Sequence, residues 1–160
     1  MNPTGYTLDF VIPQGPTGPT GGLNAYGGKF SNTTQNLTLG IGTQTQVALP
    51  NNMPNLNTTY TPANSITVAQ AGTYEINYYS NVSAAIATTL TMAVRNNGTN
   101  IASTVISRAL SVGVSSIYSG STIVTLAAGD VIDIAVSALI AVGVTLGSGV
   151  NATLSVKKIN

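Results

Sequence analysis

The chain has 160 residues and a formal net charge of +1; only 6% of its residues are charged, while 43% are hydrophobic. That length suits one core with an appendage, and five basic residues cannot make the stripe that a phosphate backbone demands, which sets nucleic acid aside. A surface so poor in charge lacks the repulsion that keeps monomers apart and is expected to self-associate.

Cysteine, histidine and tryptophan are absent. Disulfides, thiolate metal sites and histidine-based catalysis are therefore unavailable. The N-terminus has no Lys or Arg before Lys29 and no long apolar run, so a cleavable secretory signal is not expected.

The first element is YTLDFVI, within residues 1–13. Tyr6, Leu8, Phe10 and Ile12 fall two apart, so an extended chain places all four on one face. These four are the expected inter-subunit docking residues. Residues 14–22 follow as QGPTGPTGG, in which Gly15, Gly18 and Gly21 recur every third position with Pro16 and Pro19 between them. That is collagen register, because only Gly fits at a triple-helix axis. It is too short to hold three chains unaided and is expected to act as a stiff spacer of about 20 Å.

From residue 23 to residue 160 the sequence reads as short strands punctuated by Gly, Asn and Pro. Leu49, Pro50, Met53, Pro54 and Leu56 sit among asparagines and suggest a loop crossing between sheets. Next, Tyr74, Ile76 and Tyr78 alternate with Glu75 and Asn77, as a half-buried strand requires. Asn97 and Gly98 form the dipeptide best suited to a tight hairpin, between two β-rich arms. STIVTLAAGDVIDIAV repeats that scheme, with a turn at Ala128, Gly129 and Asp130 and with Ile132, Ile134 and Val136 on one side of the second strand.

The most membrane-like stretch, IAVSALIAVGVTL from Ile134 to Leu146, falls short of the ~20 residues that span a bilayer, and is expected to be core. SALIAV alone would also pass for a helical fragment. Val150 to Ile159 closes the chain as a strand. Many short strands at this spacing imply a sandwich or barrel.

Candidates for chemistry are few. Of the acids Asp9, Glu75, Asp130 and Asp133, only the last two are close in sequence, and a separation of three on a strand puts them on opposite faces. No paired-carboxylate site, other catalysis or cofactor is expected. A lone turn aspartate, Asp130, is a poor start for Ca²⁺, which wants several clustered oxygens. Lys157 and Lys158 read as a solvated strand end.

AYGGKFSNTTQNLTL, SITVAQAGTYEINYYSNVS and STIVTLAAGDVIDIAVS with NATLSVKKIN resemble the C1q and tumour-necrosis-factor-like jelly roll. They are most similar to the C-terminal domains of collagen-like exosporium glycoproteins of spore-forming bacilli and clostridia. Gly72, Thr73, Tyr74 and the turn from Leu126 to Asp130 match best. The resemblance implies an all-β, ten-strand jelly roll that trimerises, on the surface of endospores.

The collagen region, long in that family, is vestigial here. A short spacer behind an N-terminal strand is also similar to thin endospore pili, whose trimers stack head to tail through N-terminal connectors. The expected function is thus a structural subunit of a spore-surface fibre or exosporium layer. Its partner would be itself, or an anchor protein of another spore layer, with no membrane involved. The alternative is a recognition head for a glycan or host receptor, with Tyr60, Tyr78, Tyr79 and Tyr118 as aromatic platforms.

Overall fold

The computed structural model describes residues 24–160. The docking residues Tyr6, Leu8, Phe10 and Ile12 and the spacer residues Gly15, Pro16, Gly18, Pro19 and Gly21 lie outside the described residues. Among the described residues fourteen strands occur: β1 (Tyr26–Ser31), β2 (Gln35–Leu39), β3 (Thr45–Gln46), β4 (Asn51–Asn52), β5 (Thr58–Thr59), β6 (Ile66–Val68), β7 (Gly72–Ala84), β8 (Thr88–Asn96), β9 (Thr99–Asn100), β10 (Ile106–Leu110), β11 (Ser116–Leu126), β12 (Val131–Ala138), β13 (Val142–Leu146) and β14 (Ala152–Lys158). Four of them, β3, β4, β5 and β9, are two-residue pairings, which leaves ten longer strands, the number expected from the resemblance.

They form two antiparallel sheets. The first runs β2-β13-β7-β14-β1-β4, with β11 on the opposite edge of β7; the second runs β10-β8-β12-β6-β5, with β3 beside β12 and β9 beside β8. Alternation decides which side of each strand is buried. In β7, Tyr74, Ile76, Tyr78, Ser80 and Val82 point inward while Glu75, Asn77, Tyr79 and Asn81 point outward. Facing them, Leu90, Met92 and Val94 of β8 and Ile132, Ile134 and Val136 of β12 supply the second wall of one continuous core. Burial of such side chains is worth roughly 1.5–3 kcal/mol each, the main favourable term in a chain without disulfides.

The hairpin at Asn97 and Gly98 is present. Both residues have positive φ, 50° and 81°, as a two-residue turn between twisted strands demands. The crossing loop is present too: between β3 and β5, which belong to the second sheet, the chain visits the first at β4 and buries Leu49 on the way.

Two sequence expectations need correction. The turn after Leu126 does not make a hairpin of the kind at Asn97: β11 pairs with β7 and β12 with β8, so the turn carries the chain from one sheet to the other. Its anchor is tertiary, with the Gly129 N–H donating to the Val68 carbonyl at 2.8 Å. The run Ile134 to Leu146 is not core throughout: β12 ends at Ala138, Leu139 and Ile140 form an exposed bend, and β13 begins at Val142. The apolar run Ile134 to Leu146 is therefore core at both ends and exposed at its middle.

Substitutions within this single run should separate sharply. Ile134→Ala is expected to cost about 2–5 kcal/mol in urea denaturation, since the side chain is fully enclosed. Leu139→Ala, at a position 78% exposed, should stay within about 0.5 kcal/mol of the parent.

Candidate assembly surfaces

The outward face of the first sheet is a ladder of side chains fixed by register. Phe30, Thr153, Tyr79 and Ser119 align across β1, β14, β7 and β11. The next row is Gly28, Ser155, Asn77 and Ser121, followed by Tyr26, Lys157, Glu75 and Ile123. On the other side of the Phe30 row, Ile117 lies opposite Asn81. Tyr26, Phe30 and Tyr79 are half-buried, while Ile117 and Ile123 are mostly exposed.

The charges on this face are the pair Lys157 and Glu75, 3.4 Å apart and partly exposed. A hydrogen bond from Asn77 and the nearby Lys157 ammonium hold the Glu75 carboxyl below its ordinary value. So exposed a pair contributes little stability, but it leaves the face electrically neutral.

Beneath the ladder, Lys29 points inward and is almost wholly buried. Its ammonium donates to Asn52 Oδ1 at 2.5 Å and lies 4.8 Å from the centre of the Tyr60 ring. Burial pushes the Lys29 pKa down. The Tyr60 hydroxyl accepts from the Gly28 N–H at 3.1 Å and donates to the Met53 carbonyl at 2.7 Å, pinning the crossing loop against β1. Nothing in the spacing around Lys29 signals this arrangement, because a lysine beside two glycines reads as solvated.

Two grooves open at opposite ends of this sheet. One, of about 300 Å³ and lined almost entirely by apolar atoms, lies where β1 starts, among Tyr26, Gly28, Met53, Pro54, Ser155 and Lys157. The other, of about 350 Å³, lies at the opposite end of β7, among Thr38, Ala85, Val112, Gly143 and Thr145.

Asp130 and Asp133 are kept apart, as their spacing requires. Asp133 takes a bidentate pair from Arg95, both contacts at 2.7 Å, and a third bond from Gln46 Nε2 at 2.9 Å. Asp130 caps its own turn by accepting from the Ala127 N–H and reaches Asn96 and Asn97 across the hairpin, at 2.8–2.9 Å. Both carboxylates are committed to structural donors. Among the described residues no cluster of His, Cys, Asp and Glu could hold a metal ion, and no helix is long and apolar enough to cross a membrane.

The four tyrosines considered as platforms divide. Tyr78 and Tyr118 are buried and hydrogen-bond to the Thr104 and Leu90 carbonyls, so they are core. The Tyr60 hydroxyl is engaged as above, and only Tyr79 stands on the outward ladder.

Two packed antiparallel sheets around one shared hydrophobic core, with an outward face of neutral side chains, define a C1q/TNF-like jelly-roll domain. In agreement, the structure is similar to murine APRIL at pH 5.0 (TM-score 0.59, 11% identity, covering 84% of this chain and 98% of that one). It is also similar to the globular domain of zebrafish complement 1qA protein (0.55, 16%, 85% and 98%) and to Eiger TNF from S. frugiperda (0.56, 12%, 85% and 91%). At these identities the likeness concerns the fold. The chain belongs to the BclA C-terminal domain family, whose model matches residues 28–160; this is the C-terminal domain of collagen-like exosporium proteins. No curated protein sequence matches the chain significantly.

The Asp130 turn gives the fold an acid-sensitive component. Burial alone would raise this carboxyl, but the N–H donors of Ala127, Asn96 and Asn97 outweigh it and hold the pKa below its ordinary value. Folding therefore gains from the charged form above the unfolded pKa of about 4, and the gain disappears as pH falls through the lower folded value. Asp130→Asn should lower the melting temperature at pH 7 and flatten its decline between about pH 5 and pH 2. An unchanged pH profile would show that the turn aspartate does not carry this dependence.

Proposed function

We propose that the protein is a structural, self-assembling subunit of the spore surface, built as a trimer whose copies are then joined head to tail. The observation that carries the first step is the neutral ladder Phe30, Tyr79, Ile117 and Ile123 on a family domain with 6% charged residues. A flat sheet face bearing half-exposed aromatics and aliphatics, with its two charges mutually compensated, is what a well-packed homo-oligomer interface needs. Ladder rows of small Ser, Thr and Gly between the large residues let identical faces approach closely.

The second step rests on Tyr6, Leu8, Phe10 and Ile12. A chain segment with one apolar face, set apart by Gly15, Pro16, Gly18, Pro19 and Gly21, has the form of a donor strand that adds to another copy. A contact between two different surfaces of one protein does not close on itself, so it propagates as a filament. The same strand could instead hold an anchor protein of another spore layer, and that outcome would appear as trimers without filaments.

Light scattering and electron microscopy of the full chain test both steps. A Phe30→Asp, Tyr79→Asp double variant should shift the mass from trimer to monomer with its far-ultraviolet spectrum unchanged; a trimer of unchanged stability would remove the ladder from the interface. Deleting residues 1–13, or replacing Leu8 and Phe10 by Asp, should leave trimers and abolish filaments.

A further inference from the structure

Among the described residues, the twelve large hydrophobic side chains exposed on the surface are not scattered. Six of them, Ile41, Ile86, Val112, Val114, Leu139 and Ile140, belong to the β2–β3, β7–β8, β10–β11 and β12–β13 loops. Register puts all four loops at one end of the sandwich. Ala84 ends β7, Leu110 lies opposite Thr88 at the start of β8, Ala138 lies opposite Leu90, and Leu39 lies opposite Val142.

The four loops carry no charge, and Arg108, opposite Leu90, is the charge nearest to them in register. Residues 36–46, 83–90, 110–117 and 138–151 contain no Asp, Glu, Lys or Arg. Backbone hydrogen bonds tie the loops to one another: Gly42 N to the Ala138 carbonyl at 3.0 Å, Gly113 N to Ala84 at 2.9 Å, and Ala85 N to Gly143 at 2.9 Å. Held this way, the loops form a fixed apolar cap instead of four independent tips. At its edge lies the 350 Å³ groove, whose lining includes Asn36, Thr38, Ser83, Val112, Gly143 and Thr145.

The chain enters the domain at the other end. Tyr26 opens β1 opposite Lys157 near the end of β14, which lies beside the beginning of β7. The thirteen residues of β7 separate the two ends by about 40 Å at ~3.3 Å per residue. From Ile12 to Asn24 a polyproline-like path covers only about 37 Å. At that rise Ile12 falls just short of its own cap, so the whole of Tyr6 to Ile12 would not lie on it. The segment reaches the cap of a copy placed beneath it with length to spare.

We propose that this loop cap, with its groove at Val112 and Gly143, is the socket that receives Tyr6, Leu8, Phe10 and Ile12 of another copy. The inference rests on the head-to-tail reading and supplies the direction of the stack: each domain presents its cap to the strand of the next. The match is one of chemistry, an apolar strand face against uncharged loops bearing Val112, Leu139 and Ile140, beside a groove whose Thr38, Ser83 and Thr145 are neutral, with Gly143 leaving room for an aromatic ring. A lipid or a foreign apolar protein on the same surface would appear in the test as a cap occupied without Tyr6 to Ile12.

Gly143→Phe tests the socket without disturbing the fold. A Cβ there meets only the Ala85 Cβ, at 3.9 Å, so the ring would project into the groove. In the full-length protein, Gly143→Phe and Val112→Asp should each abolish filaments while trimers keep their mass. Filaments persisting in both variants, yet lost on Leu8→Asp with Phe10→Asp, would overturn the socket and leave head-to-tail assembly intact. Filaments persisting in all of them would overturn both. Independently of these variants, a photo-crosslinking residue at Val11 in a mixture of ¹⁴N and ¹⁵N chains should join mixed-isotope peptides containing residues 112–113 or 143–145. Cross-links to Met53 and Pro54 in the near-end groove, same-isotope links only, or none to residues 6–12, would overturn the proposal.

Discussion

Everything in this domain is referred to the register of β7. It is hydrogen-bonded to β14 along one edge and to β11 along the other, so its alternation propagates to both neighbours and, through β14, to β1. Slip any of these pairings by one residue and Tyr74, Ile76 and Tyr78 would face water while Glu75 and Asn77 entered the core. The same register that fills the interior with Tyr78 and Tyr118 therefore also aligns Phe30 with Tyr79 on the outside. Core and assembly face are two sides of one constraint.

Scarcity of charge shapes what that constraint can produce. The described carboxylates are each taken by specific donors: Asp133 by Arg95 and Gln46, Asp130 by its own turn and the neighbouring hairpin, Glu75 by Lys157. They lock turns and strand pairs and leave no focused field on the surface. Neutral surface lies both on the flat sheet face and on the loops at one end of the sandwich.

Lys29 shows how the crossing loop is secured. A lysine in the core is costly unless its charge is satisfied, and here Asn52 and the Tyr60 ring do so while Tyr60 also clamps Gly28 to Met53. The loop that carries Met53 and Pro54 is thereby held as one wall of the near-end groove.

Period-2 alternation made β7 and β12 legible in the sequence alone, because side chains on an extended chain must alternate whatever surrounds them. Asn97 and Gly98 were legible because few other dipeptides tolerate positive φ at both positions, and family motifs such as the Gly72 to Tyr74 stretch carried the jelly-roll reading. Pairing was not: the turns at Gly98 and Gly129 look alike in sequence, yet one closes a hairpin and the other changes sheets, because the Gly129 N–H finds its partner on β6 through space. Burial of Tyr118 against exposure of Ile117, the enclosure of Lys29 and the gathering of Ile41, Ile86, Val112 and Leu139 at one end were likewise decided by tertiary structure. Each depends on which distant strand lies opposite, and a local pattern of residues does not contain that information.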